Sequence, residues 1–341
     1  MASFRRHSAT AHVAYHDLIS LQLDEAVSEI KGTPTLRERD GRRYWYDRYR
    51  VGDAVNERYL GEDIETLRLR IDRHESLKEA REARRTESAR LVRLLRSEGF
   101  LGMDNATGSL IHALSKVGVF RLGGTLVGTH AFRAYEGELG IRLKLDQLAV
   151  TNDIDIASFE KLSLAIGETA FPSIEETLKG FEFEPVPSIE PGKVWRWRQS
   201  KSKTLVEFLT PSFEEDEGLR PLQALGVSAQ SLHFLNFPIS NPIFAAAVYR
   251  DGALIRVPRP ERYAIHKLIV SDRRKDGSDS LKSQKDLQQA LLLISVLAED
   301  RPTDLKEAYE SAMANGPQWR NRIQRTLNRS PEAAALINSV L

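Results

Sequence analysis

Apolar residues recur at helical spacing over residues 18–31 and then give way to an alternating pattern. In LISLQLDEAVSEIK the apolar positions fall three or four apart, which predicts an amphipathic helix. Residues 42–61, RRYWYDRYRVGDAVNERYLG, alternate aromatic and charged side chains around Gly52-Asp53, which predicts a β-hairpin. The Glu- and Arg-rich residues 62–98 predict one long helix or a helical pair.

The middle of the chain contains both the helical spacing of apolar residues and the two-residue alternation of strands. SLIHALSKVG predicts a helix capped by Thr107 or Ser109, and the apolar run VFRL after it predicts a strand. Short apolar or alternating runs predict further strands, one ending at 157 and others at 181–186, 193–199 and 204–211, with a hairpin at 245–257. Helical patterns cover 158–169 and 173–180, and residues 212–241 predict a loop-rich connection.

After Pro258, apolar residues recur only at helical spacing. The predicted helices are 260–273, 282–298, 303–314, 317–328 and 331–341. We therefore predict an α+β protein with an N-terminal helical and β-hairpin arm (1–104), a mixed-sheet catalytic domain (105–258) and a C-terminal helical domain (259–341).

Composition excludes several classes of protein. The 49 basic and 48 acidic side chains among 341 residues leave a net charge of +1, so a polyanion would have to be met by a local patch. The absence of cysteine excludes disulfides, zinc–thiolate sites and cysteine nucleophiles. No apolar run approaches the roughly 18 residues of a membrane span, and the first residues lack the apolar core of a secretory signal. The expectation is a cytoplasmic protein without a membrane partner.

Two aspartates in TNDIDIA are the first candidates for chemistry. In a strand, Asp153 and Asp155 point to one side while Ile154 and Ile156 point to the other. Two carboxylates this close repel each other unless a cation lies between them, and hard oxygen ligands suit Mg²⁺. The alternative is an ordinary half-exposed strand with its polar residues outward.

A third carboxylate lies in TLVEFLTP. Glu207 stands between Val206 and Phe208, and a carboxylate there is costly if it is buried without a partner. If it faces Asp153 and Asp155, the three groups could hold two metal ions at the spacing used for in-line phosphoryl transfer.

The adjacent glycines of FRLGGTLVGTHAF suggest a phosphate site. We expect Gly123 and Gly124 to form a strand-to-helix turn, with Thr125 at the start of the helix. The N–H groups of a helix start attract phosphate. The alternative is a tight corner without a ligand.

Taken in order, GGT (123–125), DID (153–155) and Glu207 resemble the nucleotidyltransferase superfamily of the DNA polymerase β type. The resemblance covers about 105–295 and implies that fold's mixed sheet. It implies that Gly123, Gly124 and Thr125 hold the nucleotide phosphates, and that the two aspartates and Glu207 bind two Mg²⁺ ions. The resemblance departs from the family in having a long gap before the aspartates and a Glu where Asp is commoner.

The first two C-terminal helical patterns also resemble bacterial nucleotidyltransferases related to the abortive-infection toxins of type IV toxin–antitoxin systems. The resemblance implies that Lys267 neutralises a triphosphate, helped by Arg273, Arg274 or Lys282, and that Asp286 on the next helix orients it. The alternative is a helical pair with a capping aspartate and solvated lysines.

These features predict an enzyme that moves an NMP from an NTP, ATP among the candidates, to a hydroxyl acceptor with Mg²⁺ or Mn²⁺. RNA, tRNA in particular, is the favoured acceptor, and a toxin with an antitoxin partner is a candidate role. A non-catalytic RNA- or partner-binding module and a small-molecule, antibiotic-type nucleotidyltransferase are the alternatives.

Two aromatic and arginine-rich strands are candidates for contact with RNA. One face of the predicted hairpin carries Tyr44, Tyr46, Arg48 and Arg50, and KVWRWRQ (193–199) alternates Trp with Arg. The alternative is that these rings pack beneath the sheet. His130, on the helix expected after the glycines, is predicted to be a packed histidine rather than a catalytic one.

Overall fold

The computed structural model describes residues 4–26, 30, 32–51, 54–143, 153–160, 169–202, 204–276 and 279–341. Their helices are α1 (Ala9–Ala26), α2 (Glu65–Ser76), α3 (Lys78–Ser97), α4 (Asn105–Lys116), α5 (Gly128–Glu138), α6 (Ile174–Gly180), α7 (Asn236–Ile239), α8 (Pro260–Arg273), α9 (Ser280–Asp300), α10 (Pro302–Ala314), α11 (Pro317–Arg329) and α12 (Pro331–Val340). The strands are β1 (Arg5–Arg6), β2 (Thr33–Arg39), β3 (Arg42–Val51), β4 (Ala54–Glu62), β5 (Thr125–Val127), β6 (Ile141–Arg142), β7 (Ile154–Ala157), β8 (Phe183–Pro185), β9 (Arg196–Gln199), β10 (Leu205–Pro211), β11 (Leu219–Leu222), β12 (Val227–Leu232), β13 (Ile243–Ala247) and β14 (Ala253–Val257). This mixture agrees with the predicted α+β class.

Seven strands of the described residues form a mixed sheet at the centre. Five of its strands are hydrogen-bonded in the order β11-β12-β10-β7-β5. Strand β9 pairs with the first half of β10, and β8 pairs with β9. The neighbours β7 and β10 are parallel, whereas β5 runs antiparallel to β7. The apolar residues that alternate along β7 and β10, Ile154 and Ile156 with Val206 and Phe208, are fully buried on one face. Their polar neighbours therefore share the other face.

The central sheet and the C-terminal helices share one hydrophobic core. Ile156 and Phe208 belong to the same buried cluster as Leu268, Leu293 and Ile323. The residues on both sides of the predicted domain boundary at 258 thus pack into a continuous interior. A second cluster lies where α1 packs with α3, and it contains Tyr15, Leu18 and Leu95.

The predicted N-terminal hairpin is confirmed as β3 and β4, and it belongs to a larger sheet. The strand β2, which the sequence pattern did not predict, pairs with β3 to give the order β2-β3-β4. The helix α2 covers one face, where Leu67 and Ile71 pack near Trp45. The sheet touches the central domain through Tyr49, whose hydroxyl donates to the carbonyl of Phe171 over 2.9 Å.

Several expectations about secondary structure were wrong. The helix α1 begins at Ala9 rather than at 18, and the loop predicted at 212–241 contains β11, β12 and α7. VFRL (119–122) forms turns rather than a strand. The remaining predicted strands and C-terminal helices are confirmed to within a few residues, and most of the helix predicted at 158–169 lies outside the described residues.

None of the helices in the described ranges combines the length and the apolar character needed to cross a bilayer.

Candidate active site

Three carboxylates come together on the polar face of the central sheet. Asp155 on β7 and Glu207 on β10 are direct partners in the parallel register. Neighbouring strands lie about 4.8 Å apart, so these two side chains stand next to each other. Asp153 immediately precedes β7, and its Oδ1 accepts the backbone N–H of Leu205, at the start of β10, over 3.2 Å. The two strands therefore present Asp153, Asp155 and Glu207 together.

The carboxylates affect one another's protonation. Burial, followed by the charges of Glu207 and Asp153, raises the pKa of Asp155 from 3.8 to about 7. Burial and the charge of Asp153 likewise raise the pKa of Glu207. Burial and the neighbouring carboxylates thus both disfavour the ionised forms of Asp155 and Glu207 when no cation is bound.

The cluster is not a complete metal cage. Within the described ranges, no three His, Asp or Glu side chains converge in the geometry of a metal site. Mg²⁺ usually takes one or two protein carboxylates and completes its coordination with water and substrate phosphates. Carboxylates that repel each other and offer oxygen atoms as ligands fit such a partly open site.

The bend at Gly128, between β5 and α5, lies directly against Asp155. Gly128 has φ = +67°, and a Cβ atom added there would lie 2.5 Å from Oδ2 of Asp155. Only glycine lets the backbone approach the carboxylate this closely in this conformation. The helix is capped by Val127, whose side chain has no oxygen to bind the N–H groups of the first turn. The start of α5 therefore meets the carboxylate cluster.

Two C-terminal helices hold this bend in place. The hydroxyl of Tyr263 on α8 donates to the carbonyl of Gly128 over 2.8 Å. On α9, the ammonium group of Lys285 donates to Oγ1 of Thr129 over 2.8 Å. Burial, with the charge of Lys267 next in importance, lowers the pKa of Lys285 from 10.5 to about 8. The first turn of α5 is thus fixed by residues more than 130 positions later in the chain.

A network of cations around Asp286 completes the site. Asp286 Oδ1 accepts from Lys267 Nζ at 2.5 Å, and its Oδ2 accepts from Arg274 at 2.8 Å. Burial acts to raise the pKa of Asp286, but Lys267 and Arg274 outweigh it and hold the pKa below its usual range. The charges of Lys267 and Arg274 also favour ionisation of Asp155, which places both cations close to the carboxylate cluster.

Comparison with known families agrees with this arrangement. The sequence model of a family described as "Nucleotidyltransferase" matches residues 105–314, more than half of the chain. The chain belongs to this nucleotidyltransferase family. A second family, described as a domain of unknown function (DUF6788), matches residues 15–69. No curated protein and no solved structure shows significant similarity to the chain.

The glycine turn chosen from the sequence lies elsewhere in the nucleotidyltransferase. Gly123 and Gly124 precede strand β5 rather than a helix, so the helix start predicted at Thr125 was wrong. Thr125 is buried and pairs with Ala157, two residues beyond Asp155. A Cβ atom at Gly124 would meet Val119 and the side chain of Ile156, on the apolar side of the sheet. The structure thus brings Gly128, rather than the predicted glycines, against Asp155.

Gly128, Thr129 and Lys285 are the residues that sequence reasoning missed. The signal for the first two was present in LVGTHAF, where a glycine also separates an apolar strand from a helix. For Lys285 there was no local signal of its role, because its partner Thr129 is 156 positions away. Its neighbours Lys267 and Asp286 lie together, as the prediction required.

Two other cations suggested as helpers behave differently. Arg273 donates to the carboxylate of Glu217 at 3.2 Å and 3.3 Å. Lys282 is exposed and pairs with Asp279 at 3.2 Å, although its charge also favours ionisation of Glu207. Arg274 is therefore the helper that joins the network around Asp286.

The histidine on α5 is a buried, neutral side chain in the nucleotidyltransferase. His130 is 2% exposed, and burial together with Arg133 lowers its pKa to about 4. Neither ring nitrogen has a hydrogen-bond partner among the described residues. This agrees with the packed histidine predicted from the sequence.

The Trp–Arg strand is only partly available to a ligand. Trp197 is 2% exposed and packs edge-on against Phe208, with ring centroids 5.4 Å apart, so it cannot stack a base. Arg196 lies opposite Glu207 in the register, and its guanidinium stands 5.0 Å from the ring centroid of Trp195. The prediction that this strand offers aromatic rings to RNA was therefore wrong for Trp197.

Proposed function

We propose that this nucleotidyltransferase uses divalent cations, Mg²⁺ or Mn²⁺, to transfer an NMP from an NTP to a hydroxyl group of RNA. The observation that carries the proposal is the register of β7 and β10, which sets Glu207 beside Asp155 and next to the start of α5. This arrangement, together with the family, supports the resemblance to the polymerase β-type superfamily.

The carboxylates are the proposed metal ligands. Asp153, Asp155 and Glu207 would hold two ions, because a bound cation would offset the burial and the mutual repulsion that raise the pKa of Asp155. Divalent cations bound there would neutralise the leaving pyrophosphate and lower the pKa of the attacking hydroxyl.

The remaining side chains position the nucleotide. The first-turn N–H groups at Gly128 and Thr129 would donate to phosphate oxygens, and their position beside Asp155 at an uncapped helix start supports this role. Lys267, Lys285 and Arg274 supply positive charge for the triphosphate, and Asp286 fixes the orientation of Lys267 and Arg274. Fixed charges and dipoles of this kind carry most of the catalysis in phosphoryl transfer. The prediction that Gly123, Gly124 and Thr125 bind the phosphates stays a prediction, and the proposed phosphate contacts at the start of α5 do not depend on it.

The test is transfer of label from α-³²P NTPs. Each of the four NTPs is incubated with Mg²⁺ or Mn²⁺ and either total RNA or purified tRNA, and the label on RNA is measured. We expect Asp153→Asn, Asp155→Asn and Glu207→Gln to lose at least about 100-fold in rate, since each removes charge from the metal site. Glu184→Gln is the matched control, because Glu184 is exposed on β8 of the same sheet.

Other outcomes point to the alternatives. Label on a small hydroxylated compound and never on RNA would make this a small-molecule enzyme. No transfer with any NTP, but intact RNA binding, would make the chain a binding module. A toxin role is tested by expressing the wild type and Asp155→Asn in growing cells, where only the active chain should arrest growth.

A further inference from the structure

The N-terminal sheet presents an exposed face of tyrosines and arginines that the active site does not use. Side chains at directly paired positions of antiparallel strands lie on the same face. The register pairs Tyr46 with Thr35 and Tyr59, and Tyr44 with Arg37 and Glu62. The opposite face carries Trp45 and Tyr49, which pack inward. We call the outward side, formed by alternate residues of β2, β3 and β4, the tyrosine face.

Three aromatic rings stand at its centre. Tyr59 lies 5.6 Å from Tyr46 and 6.1 Å from Tyr44, measured between ring centroids. Tyr59, on the edge strand β4, is 55% exposed, and the guanidinium of Arg37 stands 5.6 Å from the ring centroid of Tyr46. Such a group of rings leaves aromatic surface open to solvent.

Positive charge surrounds the rings. The register and the alternation along the strands assign to this face five arginines and two glutamates: Arg37, Arg39, Arg42, Arg48, Arg50, Glu57 and Glu62. Glu57 is engaged by Arg37 at 2.5 Å. The face therefore carries an excess of three positive charges in a chain whose net charge is +1.

We propose that the tyrosine face binds single-stranded nucleic acid, with bases stacked on Tyr44, Tyr46 and Tyr59 and phosphates held by the arginines. An aromatic platform within a cationic surface is the arrangement that binds unpaired strands, whose bases are free to stack. In a duplex the base faces are already stacked, so the rings would have no partner. The binding itself does not depend on the proposed function. The inference rests on that function only where it says that the bound strand is the acceptor for the active site.

Binding is measured on the full chain in EDTA without nucleotide, so that catalysis plays no part. The probe is a fluorescent, unstructured 12-nucleotide RNA, compared with DNA of the same sequence and with a duplex of the same length, by anisotropy. We expect single strands to bind more tightly than the duplex. Tyr59→Ala should weaken binding by about 5- to 100-fold, whereas Tyr59→Phe, which keeps the ring, should stay within about twofold of the wild type.

The charge contribution is tested with Arg48→Gln/Arg50→Gln. This double variant should weaken binding and reduce the dependence of log Kd on log salt by about 0.7 for each phosphate that the protein no longer neutralises. Arg93→Gln on α3 is the control, since it removes one exposed arginine from another surface. Circular dichroism and melting temperature show that each variant is folded.

Three outcomes would overturn the inference. These are no binding of any strand, tighter binding of the duplex, or wild-type affinity in both Tyr59→Ala and Arg48→Gln/Arg50→Gln. Asp155→Asn should bind RNA as the wild type does. A chain that binds RNA but transfers no label would refute the proposed function alone, and a chain that transfers label with unaltered binding in the face variants would refute this inference alone.

Discussion

At the scale of single residues, the site depends on a carboxylate that the fold holds in an unfavourable environment. Asp155 has a pKa of about 7 in the folded protein against 3.8 ordinarily, because it is partly buried beside two other carboxylates. Between pH 3.8 and about pH 7, Asp155 keeps its proton in the folded chain, whereas the same carboxyl group has lost it in the unfolded chain. This group's contribution to stability is therefore greatest below about pH 4 and is lost as the pH rises towards 7.

A neutral replacement should consequently stabilise the metal-free protein. In EDTA at pH 8 we expect Asp155→Asn to raise the free energy of unfolding by on the order of 2 to 4 kcal/mol, and to raise Tm by several degrees. The difference should shrink at pH 5, where the folded wild type is largely protonated. Thermal melts at both pH values check this, and an equal or lower Tm for Asp155→Asn at pH 8 would contradict it.

Gly128 provides a second residue-scale prediction. Gly128→Ala places a methyl group 2.5 Å from Oδ2 of Asp155, so the carboxylate must move. We expect transfer to fall by at least about 100-fold, the size of effect that a displacement of about 1 Å produces in an active site. Gly226→Ala is the control, because Gly226 has nearly the same φ, +66°, and open space around it. An equal loss of transfer activity in both variants would show that backbone strain alone causes the effect.

At the scale of elements, α9 clamps the start of α5 through Lys285 and Thr129. Lys285→Met removes a charge from the proposed triphosphate site, so the KM for NTP should rise by about 10- to 100-fold, the range for a hydrogen bond to a charged group. Thr129→Val keeps the charge and removes only the hydrogen bond to Lys285, so its effect should be smaller. Steady-state kinetics with varied NTP measure both, and Lys306→Met is the control, because this lysine on α10 pairs with Glu310 at the surface. An unchanged KM in Lys285→Met would remove Lys285 from the nucleotide site.

The secondary-structure predictions were confirmed where the spacing of apolar residues fitted only one type of element. Alternation fixed the polar face of β7 and β10, because every second residue of a strand faces the same side. It failed at 119–125, where VFRL is apolar enough for a strand but Gly123 has φ = +93° and the chain turns. The sequence contains two glycine bends beside β5, and local propensity does not rank them.

At the scale of the molecule, the sheet and the C-terminal helices should unfold together. Trp197 in the sheet and Trp319 on α11 belong to the same buried core. In a variant whose only tryptophan is Trp197, and in another whose only tryptophan is Trp319, the urea midpoint by fluorescence should match the midpoint by circular dichroism, because neither half buries its apolar surface without the other. Two separate midpoints would instead support an independent helical domain after 258.

The sequence by itself determined that the three candidate carboxylates share one face of the sheet. Two aspartates one residue apart and a glutamate between apolar neighbours must face away from a core, and that follows from the two-residue period of a strand. Only the tertiary structure decided which bend meets them and which cations join them. Gly128 approaches Asp155 because β5 runs antiparallel to β7, and Lys285 reaches Thr129 because α9 packs into the shared core. Contacts between segments so far apart depend on how the whole core packs, and no local pattern encodes that.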